Sequence, residues 1–481
     1  MRPALQVRAA LSRRRCRLRA SKLSPLTQIR AWHQRTLAIE TSCDDTSVAV
    51  LDISSDKHND IRGRVLFHDK ITAKSEAYNG IHPLVALESH QTSLAGLVQR
   101  ALNESSSHGS SRGTFRPDFV TVTRGPGMRS NLAIGLDTAK GLALAWNVPL
   151  LGVHHMQAHA LTPRLCNVIA GEHGSDSPDE VERKKPTVSG ETWDLSSLEP
   201  GFPFLTLLAS GGHSLLINST GLTDHAILAS TQDIAIGDCI DKAARAILPG
   251  SKLVPPYGKA LEMFAFPNGE SDYNYTPPAR RQEELERRTT EWGWSLGPPL
   301  AESKGGDKSS KRMAYSFAGL LTSVERFMRF ALTASGTPSK QLRNPEDIIL
   351  DERKEMAREI QRVAYEHLAS RILLHLASTS TPTKTVVVSG GVASSRYLRH
   401  VLRAMLDVRG YREVQLCFPP VELCTDNALM IAWVGMEMWN AGYRSGLGIG
   451  PLRKWSMDGK AEDGGILGVG GWQRSDGGKP Q

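Results

Sequence analysis

Phe119-Val120-Thr121-Val122-Thr123-Arg124-Gly125-Pro126-Gly127-Met128 opens the stretch that decides the fold, and Leu150-Leu151-Gly152-Val153-His154-His155-Met156-Gln157-Ala158-His159 closes it. The β-branched run at 119–123 predicts a short strand and Gly125-Pro126-Gly127 a tight turn. Leu132, Leu136, Ala139, Leu142 and Ala143 then recur at helical spacing. A second buried run covers 149–153. His155 and His159 follow it, four residues apart. On a helix both imidazoles lie on one face about one turn apart, close enough to share a metal ion. Spacing alone leaves a structural pair the commoner reading. A zinc-protease reading fails on Met156, which stands where the general-base Glu would follow the first His.

Working outward, the 481 residues are enough for two to three domains. No run of about 18 uncharged apolar residues occurs, because Asp137 and Lys140 interrupt the most apolar long segment. Cys16, Cys43, Cys166, Cys239, Cys417 and Cys424 are scattered with no C-x-x-C pair, which excludes a zinc ribbon and a disulfide scaffold. Residues 1–35 hold ten Lys+Arg and no acid, the composition of a mitochondrial transit peptide; a basic arm for nucleic acid is the alternative. The whole chain has 58 Lys+Arg and 50 Asp+Glu, so without that leader 48 basic residues stand against 50 acidic ones. An RNA ligand would therefore need a local basic patch.

Toward the N-terminus, the apolar runs 37–41 and 47–53 flank Ser42-Cys43-Asp44-Asp45-Thr46 and predict a β-hairpin with an acidic, hydroxyl-rich tip. Such a tip can hold phosphates on its N–H groups while a carboxylate orients an ion or water, although a solvated turn is the simpler reading. A helix is expected after Pro83, with His90 unassigned, and another from His155 to about Ile169. Residues 171–200 read as an inserted surface loop. The strand at 204–209 meets Ser210-Gly211-Gly212-His213, whose adjacent glycines let the backbone approach a ligand. A helix begins near Asp238, and Asp241 in its first turn either faces a ligand or complements the helix dipole. Pro255-Pro256-Tyr257-Gly258 ends that unit. Residues 266–312 read as a second polar insertion, a solvated or RNA-contacting loop.

A long amphipathic helix spans 351–376. Thr385-Val386-Val387-Val388 then enters Ser389-Gly390-Gly391, so a strand followed by Ser-Gly-Gly occurs twice, once in each half. Paired phosphate-binding turns in two lobes, with an acidic hairpin near the start, outline a two-lobed α/β fold of the actin-like or sugar-kinase-like ATPase type. Asp426, at the start of the last helix, would complete a His, His, Asp site with His155 and His159. The glycine-rich residues 456–481 read as a disordered tail.

These segments together resemble the tRNA N6-adenosine threonylcarbamoyltransferase family, once described as O-sialoglycoprotein endopeptidases, and most closely its mitochondrial branch. The resemblance runs in order through Ile39-Glu40-Thr41-Ser42-Cys43-Asp44, Gly125-Pro126-Gly127, Gly152-Val153-His154-His155-Met156 with His159, Ser210-Gly211-Gly212-His213, Asp241-Lys242-Ala243-Ala244, Ser389-Gly390-Gly391-Val392 and Cys424-Thr425-Asp426-Asn427-Ala428. It covers about 37–455. It implies one divalent ion (iron, zinc or magnesium) held by His155, His159 and Asp426, and an adenylate contacted by Leu208, Ala209, Ser210, Gly211, Gly212, Asp241 and Gly258. Asp44 matches the aspartate near the phosphate and is the candidate for assisting chemistry. The chain departs from the pattern at Ser395, where the family has the Asn that contacts substrate, at Tyr257 in place of a glycine, at Leu321 in place of a lysine, and around His82 and His90.

The implied reaction moves threonylcarbamoyl from threonylcarbamoyl-AMP to N6 of the adenosine 3′ of the anticodon, in mitochondrial tRNAs that read codons starting with adenine. The resemblance also implies a homodimer, a matrix location, no membrane span and a separate synthase to make the donor. The competing readings are a two-lobed ATPase acting as a chaperone or genome-maintenance factor, a metalloendopeptidase, which lacks its Glu, and a sugar kinase, for which no base is found.

Overall fold

The computed structural model describes residues 32–55, 61–75, 78, 80–107, 115–169, 198–301, 309–380 and 382–475. The expected leader through residue 31, nearly all of the first insertion and residues 302–308 of the second lie outside them. The first strand, β1 (Trp32–Glu40), starts inside the segment set aside as leader. It pairs antiparallel with β2 (Asp45–Ser55), and β2 with β3 (Ile61–Thr72), so the predicted hairpin forms with Glu40 opposite Ser47. After α1 (Pro83–Ser107), the stretch quoted above folds as read: β4 (Phe119–Gly125), α2 (Arg129–Trp146), β5 (Leu150–His154) and α3 (His155–Ile169).

Strand periodicity explains why this sheet sits between helices. Leu37, Ile39, Val48 and Val50 join the core cluster formed with α1 and α2, while Ala38, Ala49, Leu51 and Ile53 join the cluster formed with α3 and the last helix. Side chains alternate faces along a strand, and both faces here are apolar, so both must be covered.

The second lobe begins with the antiparallel β6 (Phe204–Ala209), β7 (Ser214–Ser219) and β8 (His225–Ser230), followed by α4 (Ile236–Ile247) and α5 (Tyr257–Ala265). It continues through α6 (Ala318–Arg329), a small hairpin of β9 (Phe330–Leu332) and β10 (Pro338–Leu342), and α7 (Leu350–Ser378). The lobe closes with β11 (Thr385–Ser389), α8 (Arg396–Val408), β12 (Gln415–Cys417) and α9 (Val421–Cys424). The chain then returns to the first lobe as α10 (Ala428–Asn440), β13 (Tyr443–Ser445) and β14 (Trp472–Arg474). Eleven consecutive residues of α10, Ala428 to Met438, are buried, as expected of a helix apolar on all sides.

The sheets run β14-β13-β5-β4-β1-β2-β3 and β12-β11-β6-β7-β8. Each contains three antiparallel strands in sequence, whose first strand pairs in parallel with a later strand that in turn pairs in parallel with the next. One topology is used twice, which is the two-lobed actin-like, sugar-kinase-like architecture expected.

Four readings change. Both Ser-Gly-Gly turns belong to the second lobe, because β6 and β11 are hydrogen-bonded neighbours with Ser389 paired to Leu208. Their counterparts in the first lobe follow β1 and β4, at 41–44 and 125–127. Tyr257-Gly258 opens α5 and does not close the preceding unit. Residues 266–301 are not a solvated loop: Trp294 and Leu296 are fully buried, Trp294 Nε1 donates to Glu352, and the Tyr275 hydroxyl donates to Glu366 on α7. Residues 456–475 are not a loose tail, since Met457, Ile466 and Trp472 are buried and Trp472 Nε1 donates to Ile466 O at 3.0 Å. In both segments irregularly spaced aromatic and aliphatic anchors do the packing, and they leave no period to read.

Candidate metal centre and adenylate cleft

The centre starts from how α3 begins. His154, the last residue of β5, is fully buried and turns its Nδ1 onto the first helical N–H groups, accepting from Met156 N at 3.1 Å and Gln157 N at 3.3 Å. Its Nε2 donates to Trp455 O at 3.0 Å. Burial pushes this imidazole down to about 3, so it stays a neutral cap. A helix fixed this way carries His155 and His159 on the face toward Asp426, with His159 Nε2 at 3.1 Å and His155 Nε2 at 3.5 Å from Asp426 Oδ1. Among the described residues, His155, His159 and Asp426 are the group whose ligand atoms all lie within 4.8 Å of one another.

Asp426 reaches this point because the chain is pinned on both sides of it. Asn427 caps α10, accepting from Met430 N at 3.0 Å and donating to Thr425 O at 2.8 Å. Lys70 on β3 donates to Thr425 Oγ1 at 2.8 Å, to Asp426 O at 3.4 Å and to Asp45 Oδ2 at 3.0 Å. Ala428 N donates to Ser47 Oγ at 3.1 Å. The candidate ligand thus stands where the return from the second lobe meets the acidic hairpin of the first.

The donor set fits a divalent ion. Two imidazole nitrogens and a carboxylate oxygen converge, and Asp426 keeps 24 % of its side-chain exposure, which leaves an approach from the cleft. His155 Nδ1 is 3.2 Å from Glu40 Oε2, and a carboxylate can only accept, so the proton sits on Nδ1 and Nε2 is left for a ligand. Burial disfavours an imidazolium at His155, but the Asp426 and Glu40 carboxylates outweigh it and lift the group to about 10. Burial likewise opposes the charge of Asp426, and His155 followed by His159 overcomes it and holds the carboxyl well below the usual range. A site that gathers this much complementary charge is built for a cation or a proton in its place.

The other expected residues fall into three groups. Asp44 lies at the hairpin tip, its carboxyl raised by burial and then by Asp45, with Asp426 also acting on it. Ser210 to Gly212 form the turn after β6, closed by Ser210 N donating to His213 O at 2.8 Å. This turn lies beside the centre, since Leu208 at the end of β6 shares a core cluster with Met156 and Ala160 of α3, and desolvation, then the neighbouring His155 and His159, push His213 down to about 4. Two glycines make the approach possible: Gly237 packs its Cα against Gly211, where a Cβ would sit 2.8 Å from backbone, and Gly390, at φ 94°, lies directly on Ala209 O. Leu208 and Ala209 have side chains in the core, so their part in any ligand contact is limited to backbone. Asp241 and Gly258 meet each other, Gly258 N donating to Asp241 Oδ1 at 3.0 Å. Ser395 caps α8, accepting from Leu398 N at 3.0 Å.

The β1/β4 pair and the β6/β11 pair are each parallel neighbours, and the carboxyl ends of both are where the turns with these residues lie. Ligands of α/β sheets bind outside such ends, where the chain departs in opposite directions.

The model of the tRNA N6-adenosine threonylcarbamoyltransferase (TsaD) family matches residues 65–175 and 193–433. A protein of Schizosaccharomyces pombe called tRNA N6-adenosine threonylcarbamoyltransferase, mitochondrial, is 35% identical over 95% of this chain and 96% of its own length. The chain belongs to this family. A tRNA N6-adenosine threonylcarbamoyltransferase of Brucella ovis is 30% identical over 89% of this chain and 96% of its own.

In this threonylcarbamoyltransferase family member the structure brings to the site residues to which the sequence assigned no role. Glu40 is fully buried at the end of an apolar strand, held by Ser42 N at 2.5 Å and by the Thr123 hydroxyl. An acid ending a buried strand beside a polar turn was the available signal. His90 has Nε2 donating to Cys43 O at 3.0 Å and Nδ1 2.7 Å from Thr46 Oγ1, so it braces the hairpin tip. Lys70 lies on the edge strand of the sheet, and only the fold shows which segment it meets.

Proposed function

We propose that this chain transfers the threonylcarbamoyl group from threonylcarbamoyl-AMP to N6 of the adenosine 3′ of the anticodon, in mitochondrial tRNAs that read codons starting with adenine. The observation that carries the reading is the cluster of His155, His159 and Asp426, backed by Glu40 and set between the acidic hairpin and the glycine turn after β6.

His155, His159 and Asp426 hold one divalent ion, iron or zinc in preference to magnesium, because imidazole nitrogen suits borderline ions and magnesium favours oxygen ligands. When bound, the ion supplies positive charge to orient the donor and to offset charge developing on carbonyl and phosphate oxygens. The turn at 210–212 and the pair Asp241 and Gly258 receive the adenylate, with Leu208 and Ala209 contributing backbone and Ser395 standing where the family uses Asn. The N6 nitrogen attacks the carbamoyl carbon, the bond from that carbon to the phosphate oxygen breaks, and AMP leaves. The proton lost by N6 goes to a carboxylate oxygen of Asp44, whose affinity for it is raised by burial and by Asp45. The N6 lone pair is delocalised into the ring, so positioning by the two lobes supplies much of the rate.

The leader composition and the name of the yeast relative support a mitochondrial location, and the matrix is the compartment proposed within it. As the family resemblance implies, the donor comes from a separate synthase and two chains form a homodimer. Among the described residues no helix is long and apolar enough to cross a membrane. The test is incubation with the donor and an unmodified mitochondrial tRNA, followed by nucleoside mass analysis. A threonylcarbamoyl mass on adenosine is expected. ATP hydrolysis without that product would favour the ATPase reading instead.

A further inference from the structure

Two backbone hydrogen bonds bracket the tip of the β1–β2 hairpin: Met128 N donates to Ser42 O and Ala73 N donates to Asp44 O, each at 2.9 Å. The residue after each anchor is an exposed cation, Arg129 in one case and Lys74 in the other. A further segment is laced to the same place. Leu452 N donates to Arg124 O at 2.9 Å, Gly127 N to Arg453 O at 3.4 Å, and the Arg124 guanidinium to Gly450 O at 3.2 Å and Gly470 O at 2.8 Å. That segment continues into Arg453 and Lys454, both exposed. Arg124 spends its charge on carbonyls inside, while the two cations after it face solvent.

Three other cations of this lobe are paired: Lys70 with Asp45, Arg100 with Asp69, and Lys140 with Asp137. Among the described residues Lys74, Arg129, Arg453 and Lys454 are in no ion pair. Beyond the leader the chain has no overall positive excess, so any grip on a polyanion must come from a local group such as this.

We propose that Lys74, Arg129, Arg453 and Lys454 form a rim on the first lobe that binds backbone phosphates of the RNA substrate and brings the reacting base to the hairpin tip. This rests on the reading that the substrate is a tRNA. Phosphate contacts of this kind set register and carry no sequence information, which suits a surface that serves several tRNAs. The site behind the rim is acidic, with Asp44, Asp45 and Asp426 close together, and would repel a phosphate chain if the rim did not hold it.

The experiment uses the full chain and its Arg129→Gln/Arg453→Gln/Lys454→Gln variant, with binding of an unmodified tRNA followed by fluorescence anisotropy across a salt series. Loss of three phosphate contacts lowers the slope of log affinity against log salt by about 2 to 3 and weakens binding roughly tenfold near physiological salt. Bound-ion content and the KM for the donor stay as in the parent, and Arg453→Lys alone, which keeps the charge, keeps the slope. A triple variant with the parent's affinity and slope would overturn the proposal and leave the rim to an acidic protein. A parent that binds tRNA with the steep slope but transfers nothing supports the rim and counts against the transferase reading.

Discussion

Glu40 Oε2 stands 3.2 Å from His155 Nδ1, a buried contact between the end of the first strand and the start of α3. It fixes which imidazole nitrogen faces Asp426. The Glu40→Gln variant keeps the shape and loses the charge, and the affinity for the divalent ion is expected to fall about 10- to 100-fold. Competition with a chromophoric chelator measures this; an affinity equal to the parent's would remove Glu40 from that role.

Lys70 holds the segment of the proposed ligand Asp426. Its ammonium is the bond between β3 and the Thr425–Asp426 segment, so the Lys70→Met variant frees Asp426 to wander and should lose roughly tenfold in ion affinity. Lys70→Arg can reach the same oxygens and should recover part of it. Equal retention of the ion by Met and Arg variants would show that the contact has no positioning effect.

The buried pair of Arg164 and Glu437 joins α3 to α10 through Nε–Oε1 at 2.8 Å and Nη2–Oε2 at 3.1 Å. Arg164→Met leaves a buried carboxylate without its partner and is expected to destabilise the fold by about 3 to 5 kcal/mol. Adding Glu437→Met should restore most of that, because the cost lies in the unpaired charge and not in the loss of the bridge. Urea unfolding of the three proteins decides it, and a double variant no more stable than the single one contradicts the argument.

His225 gives a pH dependence. Burial pushes its imidazole from 6.5 down to about 4, while Nδ1 and Nε2 are engaged by Ser219 and Leu222. The folded pKa is therefore below the unfolded one. As pH falls from 6.5 toward 4 the unfolded chain takes up the proton first, and stability is lost at up to about 1.4 kcal/mol per pH unit across that window. Above 6.5 both states are neutral and nothing changes. His225→Asn should flatten the curve of unfolding free energy between pH 6.5 and 4 by about one proton; a parallel curve would contradict the assignment.

Much of this is legible in the sequence. The β-branched run at 119–123, the glycine turn and the helical repeat through Ala143 report local geometry directly, and the hairpin around Ser42 announces itself by two apolar strands and a polar tip. The candidate triad was legible in part, since His155 and His159 share a helix, whereas the approach of Asp426 depends on a chain return nearly 270 residues later. Glu40 and Lys70 were not legible as partners for the same reason. Trp294 and Trp472 mark the limit from another side: both lie in segments without period and rich in polar or glycine residues, yet each is buried by packing on a core formed elsewhere in the chain.

Asp426 is the ligand proposed from the return between the lobes, and single-turnover transfer by the Asp426→Ala variant tests the account most directly. Labelled threonylcarbamoyl is followed from its AMP adduct to unmodified mitochondrial tRNA, with bound ion measured in the same samples. The account predicts loss of the ion together with a fall of at least about 100-fold in transfer, while the variant stays folded and its tRNA binding stays near the parent's. Transfer at the parent's rate by a protein that has lost its ion would contradict it.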